Sequence, residues 1–151
     1  MQLAQAFPNA HFLITLRDPY AQIEGTLRRG WHPCARDAAE FWLETARAQV
    51  SNIETLGRTL VFTYEELTED AGAVTRDMLD FLPALQSLSH DVEFNAHNIT
   101  GEPIRGIRNL NREKIARLTP EQIRDIDQVL GPHQKLLSRF GYALIQPTLD
   151  E

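Results

Sequence analysis

Two arginines, a tyrosine and a glycine carry the chemistry that can be read from this chain. Arg17 follows the apolar run Phe12-Leu13-Ile14-Thr15-Leu16. That run is too short for a helix and reads as a buried strand. The guanidinium therefore stands at the strand's carboxyl end, where open parallel sheets meet their ligands, and the chemistry on offer is capture of an anion. Tyr64 stands in the same way after Thr59-Leu60-Val61-Phe62-Thr63. It can present a flat apolar wall and a hydroxyl. Gly101 admits close backbone approach, and Arg105 can add a charge-assisted bond of roughly 1.5–3 kcal/mol to an anion. Each also has a plainer reading. Arg17 can cap a helix or pair with a carboxylate, Tyr64 can be a half-buried structural residue, and Arg105 can belong to an exposed basic loop with Arg108 and Arg112 as alternatives.

The elements that must position these residues follow from period and punctuation. Pro19 ends the first strand, having no N–H for a ladder and turning Asp18 away from helix. Asp18 then reads as an N-cap and Pro19 as the first residue of a helix with Ala21, Ile23, Thr26 and Leu27 on one face. Arg28-Arg29-Gly30 closes it, two cations complementing the helix dipole or contacting a ligand, and a stopping glycine. Asp37 to Leu56 is the clearest helix, with Ala38, Phe41, Trp42, Thr45, Ala46, Gln49 and Ile53 recurring at three- and four-residue steps. Phe41 and Trp42 are expected to pack on the sheet. The β-branched and aromatic run 59–63 predicts a second buried strand. A helix over 71–82 follows it, capped by Thr68 or Asp70. Residues 83–111 show little periodicity, which in a compact domain marks a functional or mobile loop. Thr119-Pro120 with Gln122 is a strong helix start with a capping box. Ile123, Ile126, Val129 and Leu130 supply its buried face, Gly131-Pro132 bends it, and it resumes to Tyr142. Met1 to Ala6 reads as a helix end, and the tail from Gln146 as frayed.

Bulk properties exclude several classes. A chain of 151 residues is long enough for one domain with a real core. Its formal net charge of −6 argues against a nucleic-acid backbone as partner. The single cysteine, Cys34, excludes an internal disulfide, and no Cys/His spacing resembles a metal site. No apolar run approaches the length of a membrane span, and the opening residues lack a charged-then-apolar signal, so a cytoplasmic location is the default.

With these residues in place, a family likeness emerges. FPNAHFLITLRDPYAQIEGTL resembles the 3′-phosphate-binding segment of sulfotransferases that use phosphoadenosine phosphosulfate (PAPS). In that family a strand ends in Arg-Asp-Pro or Arg-Asn-Pro, and a serine eight residues after the arginine joins it on the phosphate. Arg17 matches the arginine, the serine position is Gly25, and Thr26 beside it is the hydroxyl at hand. The run Tyr64-Glu65-Glu66-Leu67 is similar to a family segment whose tyrosine lies near the adenine. His97 to Gly106 looks like the late glycine-containing loop, with Gly101 and Arg105 toward the 3′-phosphate and Glu102 where relatives often carry a neutral residue. The ending Arg139-Phe140-Gly141-Tyr142 also resembles the ends of many sulfotransferases.

The resemblance implies a P-loop-NTPase-like α/β sulfotransferase fold. It would be a partial three-layer sandwich with a short parallel sheet and a helical C-terminal half, forming a single partial domain over 1–151. It implies PAPS as co-substrate, no metal, and transfer of a sulfuryl group to a hydroxyl or amine of unidentified nature. The cofactor-binding residues would be Arg17, Thr26, Tyr64, Gly101 and Arg105. The family's phosphosulfate loop and catalytic base normally precede the Arg-Asp-Pro strand, yet the sixteen residues before Arg17 contain no glycine, and a phosphate cradle needs several N–H groups aimed at one anion. The expectation is a fragment or truncated member that keeps the 3′-phosphate and adenine elements, with an exposed sheet edge open to self-association. Whether this chain is itself an enzyme is left open. Two other readings stand beside it: a fragment of a nucleoside-phosphate kinase-like enzyme, and a non-catalytic helical binding or scaffold module.

Overall fold

A computed structural model describes residues 2–89, 93–94 and 104–145. The chain divides into two compact units, one of Met1–Thr15 with Leu56–Asn109, the other of Leu16–Thr55 with Leu110–Glu151.

In the first unit a short helix, α1 (Gln2–Ala6), precedes strand β1 (Phe12–Leu16), which pairs in parallel with β2 (Thr59–Thr63). The Phe12 N–H donates to the Arg58 carbonyl at 2.9 Å. β1 falls where its apolar run predicts, but it is buried on one face only: Ile14 and Leu16 are covered, whereas Leu13 and Thr15 are exposed. No residue of β2 is fully buried, and Val61 faces solvent. The expectation of two fully buried strands is corrected here. A sheet of two strands does not bring neighbours over both faces.

The segment after β2 is more helical than its sequence suggests. Thr63 and Glu66 form a capping box that starts α4 (Tyr64–Glu69). Thr68 turns its hydroxyl back onto the Tyr64 and Glu65 carbonyls at 2.9 and 3.1 Å, so Asp70 caps α5 (Ala71–Phe81), accepting from the Ala73 N–H at 2.8 Å. Two-residue strands β3 (Glu93–Phe94) and β4 (Ile104–Arg105) pair antiparallel, Glu93 opposite Arg105.

The second unit is helical. α2 (Pro19–Arg28) packs on α3 (Ala35–Thr55) and on the short α6 (Asn111–Ile115), and α3 packs on α7 (Pro120–Leu130). A 3₁₀ turn at Gly131–His133 leads into α8 (Gln134–Arg139). Ala38, Ala39 and Ala46 let α3 approach its neighbours, and Tyr20, Ile23, Trp42, Ile126, Leu130 and Leu137 fill the core. α7 starts with the Thr119–Gln122 capping box and Pro120 in its first turn, as its sequence predicts. Phe41 departs from expectation. It is 49% exposed and lies beside the His32 ring, while Trp42 alone turns inward. Their adjacent positions are about 100° apart on a helix, so both cannot face one partner. The stretch 83–111 was expected to be aperiodic, and its last residue instead begins α6.

Candidate functional site

In the second unit the site begins at the turn after β1. Asp18 caps α2 by accepting from the Ala21 N–H at 2.9 Å, and Pro19 opens the helix. The buried indole of Trp42 donates to the Arg17 carbonyl at 3.2 Å. Arg17 Nε donates to Asn111 Oδ1 at 2.8 Å, so the guanidinium is aimed by the first residue of α6. Tyr20, one turn further, donates its hydroxyl to Asp127 and accepts from the Ile145 N–H at 3.0 Å. Burial and the Asp127 carboxylate raise the Tyr20 pKa well above that of a free phenol.

Past this turn, α2 and α6 bring together a cluster of opposite charges. Glu24 is 5% exposed. Its Oε1 lies 3.3 Å from Arg28 Nε and 3.7 Å from an Arg117 terminal nitrogen, and its Oε2 lies 3.7 Å from Lys114 Nζ. Lys114 is itself buried, at 8% exposure. Desolvation holds its pKa below that of an ordinary lysine. The Arg17 charge pushes the same way, Glu24 opposes it, and Arg28 and Arg29 add to the depression. Gly30, at φ +69°, closes α2 in a left-handed turn in which Gly30 N–H donates to Leu27 and Trp31 N–H to Thr26. That turn fixes Arg29, which donates to the Gly25 carbonyl at 3.3 Å and lies over the Trp31 ring at 5.0 Å.

Thr26 is buried on the same helix and donates its hydroxyl to the Ile23 carbonyl at 2.9 Å. In the first unit, Tyr64 is half-buried and donates its hydroxyl to the Arg108 carbonyl at 2.9 Å. This joins Tyr64 to the stretch just past β4, where Gly106 takes φ +72°. Arg105 is the second residue of β4, with its backbone paired to Glu93. Gly101 lies outside the described residues. A cavity of about 260 Å³ in this unit is rimmed by Glu66, Glu69, Asp70 and Asp77, which would repel rather than gather anions. Another of about 350 Å³ in the second unit is lined by Leu137 and Tyr142 and not by Arg17.

Sequence reasoning missed Glu24, Asn111 and Lys114. The signal available was spacing. Asn111 and Lys114 lie three apart and share a helix face, and Glu24 is the charged residue on the buried face of α2.

Helices together with a small parallel two-stranded sheet make this an α/β protein. Residues 1–84 match the Sulfotransferase family, more than half of the 151-residue chain, and the chain belongs to that family. No curated protein matches it. Among the described residues, no helix is long and apolar enough to cross a membrane, and no group of His, Cys, Asp or Glu is arranged to hold a metal ion.

Proposed function

We propose that this sulfotransferase-family chain recognises PAPS through its 3′-phosphate and adenine, in the service of sulfuryl transfer to a hydroxyl or amine acceptor. The observation that carries the reading is Arg17, held past the carboxyl end of β1 by Asn111 and Trp42. A guanidinium at that place can offer a phosphate parallel N–H donors in fixed geometry. Arg105 would add a second cation, Gly101 close backbone approach, and Tyr64 a wall for the base. Thr26 would have to release the Ile23 carbonyl to turn its hydroxyl to the phosphate. We take the fold to be the P-loop-NTPase-like sulfotransferase fold and 1–151 to be one partial domain. The family match supports this, because residues 1–84 draw on both compact units. Leu13 and Val61 on the two-stranded sheet leave apolar side chains uncovered, which supports self-association through the sheet.

Calorimetry on the whole chain tests the reading. Adenosine 3′,5′-bisphosphate should bind, and Arg17→Ala should weaken it by about tenfold or more, the worth of a charged hydrogen bond. A preference for ATP would favour the kinase-like reading, and indifference to both nucleotides would overturn nucleotide recognition.

A further inference from the structure

Among the described residues, the cations around Glu24 outnumber its one carboxylate. One buried carboxylate is shared by Arg28, Lys114 and Arg117, and Arg29 is bonded to the adjacent Gly25 carbonyl. Arg28 and Arg117 are well exposed, whereas Lys114 is only 8% exposed. Its nearest partner among the described residues is Glu24 at 3.7 Å, longer than a hydrogen bond. Glu24 Oε2 accepts no hydrogen bond among those residues. An ammonium has three N–H groups to place, and Glu24 accepts none of them at hydrogen-bond distance.

The position of that ammonium is specific. A Cβ built on Gly25 would lie 3.1 Å from Lys114 Nζ and 3.5 Å from an Arg29 terminal nitrogen. A side chain there would press the ammonium back by a few tenths of an ångström. Gly25 has no positive φ to explain it. Its role here is to make room for a cation.

We propose that Lys114 is a direct ligand for a phosphate monoester, its ammonium occupying the space over Gly25 where the family's serine hydroxyl would reach. The anion is the 3′-phosphate of the nucleotide, so the assignment rests on the reading above. A phosphate monoester carries close to two negative charges near neutral pH. It matches the surplus beside Glu24 better than a carboxylate, and its oxygens accept the N–H groups that Glu24 leaves unserved. The missing hydroxyl at position 25 is thereby replaced with a charged donor.

Two measurements on the whole chain test this. The first compares adenosine 3′,5′-bisphosphate with adenosine 5′-monophosphate by calorimetry in the wild type, Lys114→Met and Lys114→Met/Gly25→Ser. Lys114→Met should weaken the bisphosphate by about tenfold or more and leave the monophosphate unchanged, and the added serine should recover part of the loss. Bisphosphate affinity within about twofold of wild type in Lys114→Met overturns the assignment. The second follows the ¹⁵N ammonium resonance of Lys114 in the wild-type chain as inorganic phosphate is added, and it decides the matter should Lys114→Met fail to fold. A shift of that resonance in a chain that binds neither nucleotide sustains the anion site and sinks the nucleotide reading. A resonance that phosphate leaves in place sinks the Lys114 assignment.

Discussion

The two ends of the proposed nucleotide machinery are held by different physics. Around Arg17, side chains of opposite charge from α2 and α6 converge on one buried carboxylate, and the anchoring bonds run from an indole and an amide. Around Tyr64 the ties are short-range and mostly to backbone: a capping box at Thr63 and Glu66, a hydroxyl on the Arg108 carbonyl, and the β3–β4 pairing. The first arrangement carries charge that a ligand can complete. The second is satisfied as it stands and offers shape. Charge-held residues should therefore respond to anions, salt and pH, and backbone-held ones should not.

The sharpest way to break this comparison is to remove the shared carboxylate. Glu24→Gln should destabilise the chain by roughly 3 kcal/mol, the low end for leaving a buried charge unpaired, since Arg28 and Arg117 are partly solvated. Urea unfolding would measure it, and added phosphate should restore part of the loss. A cost near zero would mean the cluster is solvated and the contrast unfounded. Trp42→Phe comes next. It deletes the donor to the Arg17 carbonyl and leaves a small void, at about 2 kcal/mol by urea midpoint, with a further loss of bisphosphate affinity that a purely structural tryptophan would not produce. Thr63→Ala removes one half of the capping box and should cost about 1 kcal/mol. Phosphate should recover none of that loss, which is the point of the contrast.

The smallest effect expected is on pH dependence. Lys114 has a folded pKa depressed below the ordinary 10.5, so its burial costs stability while it is charged. Unfolding free energy should therefore rise as pH climbs through the depressed pKa toward 10.5. Tyr20 works oppositely. Its folded pKa is raised above the ordinary 10.0, so its stabilisation is complete below pH 10 and declines above it. The window that isolates Lys114 from Tyr20 is thus alkaline but below pH 10. Denaturant midpoints across that window should climb in the wild type and lie flat in Lys114→Met.

Local chemistry was legible from the residues, and convergence was not. β1, the Asp18-Pro19 start, the Gly30 stop and the Thr119 capping box each follow from a few adjacent residues, and the structure places them accordingly. Asp70 over Thr68 was an open choice decided by where the Thr68 hydroxyl bonds. Phe41 was read from helical spacing, but α3 carries its buried stripe through alanines and Trp42, which leaves Phe41 on the rim. Lys114 was hidden for a different reason. The buried face of a five-residue helix holds a single three-residue step, Asn111 to Lys114, which is too little period to mark a helix by itself. Its meeting with Glu24 and Gly25 is a tertiary event between segments far apart in the chain.

The placement of the two tryptophans gives the molecule a built-in optical gauge. Trp42, 2% exposed and bonded to the Arg17 carbonyl, should emit in the blue and resist acrylamide quenching. Trp31, 67% exposed under the Arg29 guanidinium, should emit in the red and be quenched readily. The two indoles bracket α2, so a single emission spectrum reads both ends of the helix that carries Glu24 and Gly25, with no label attached.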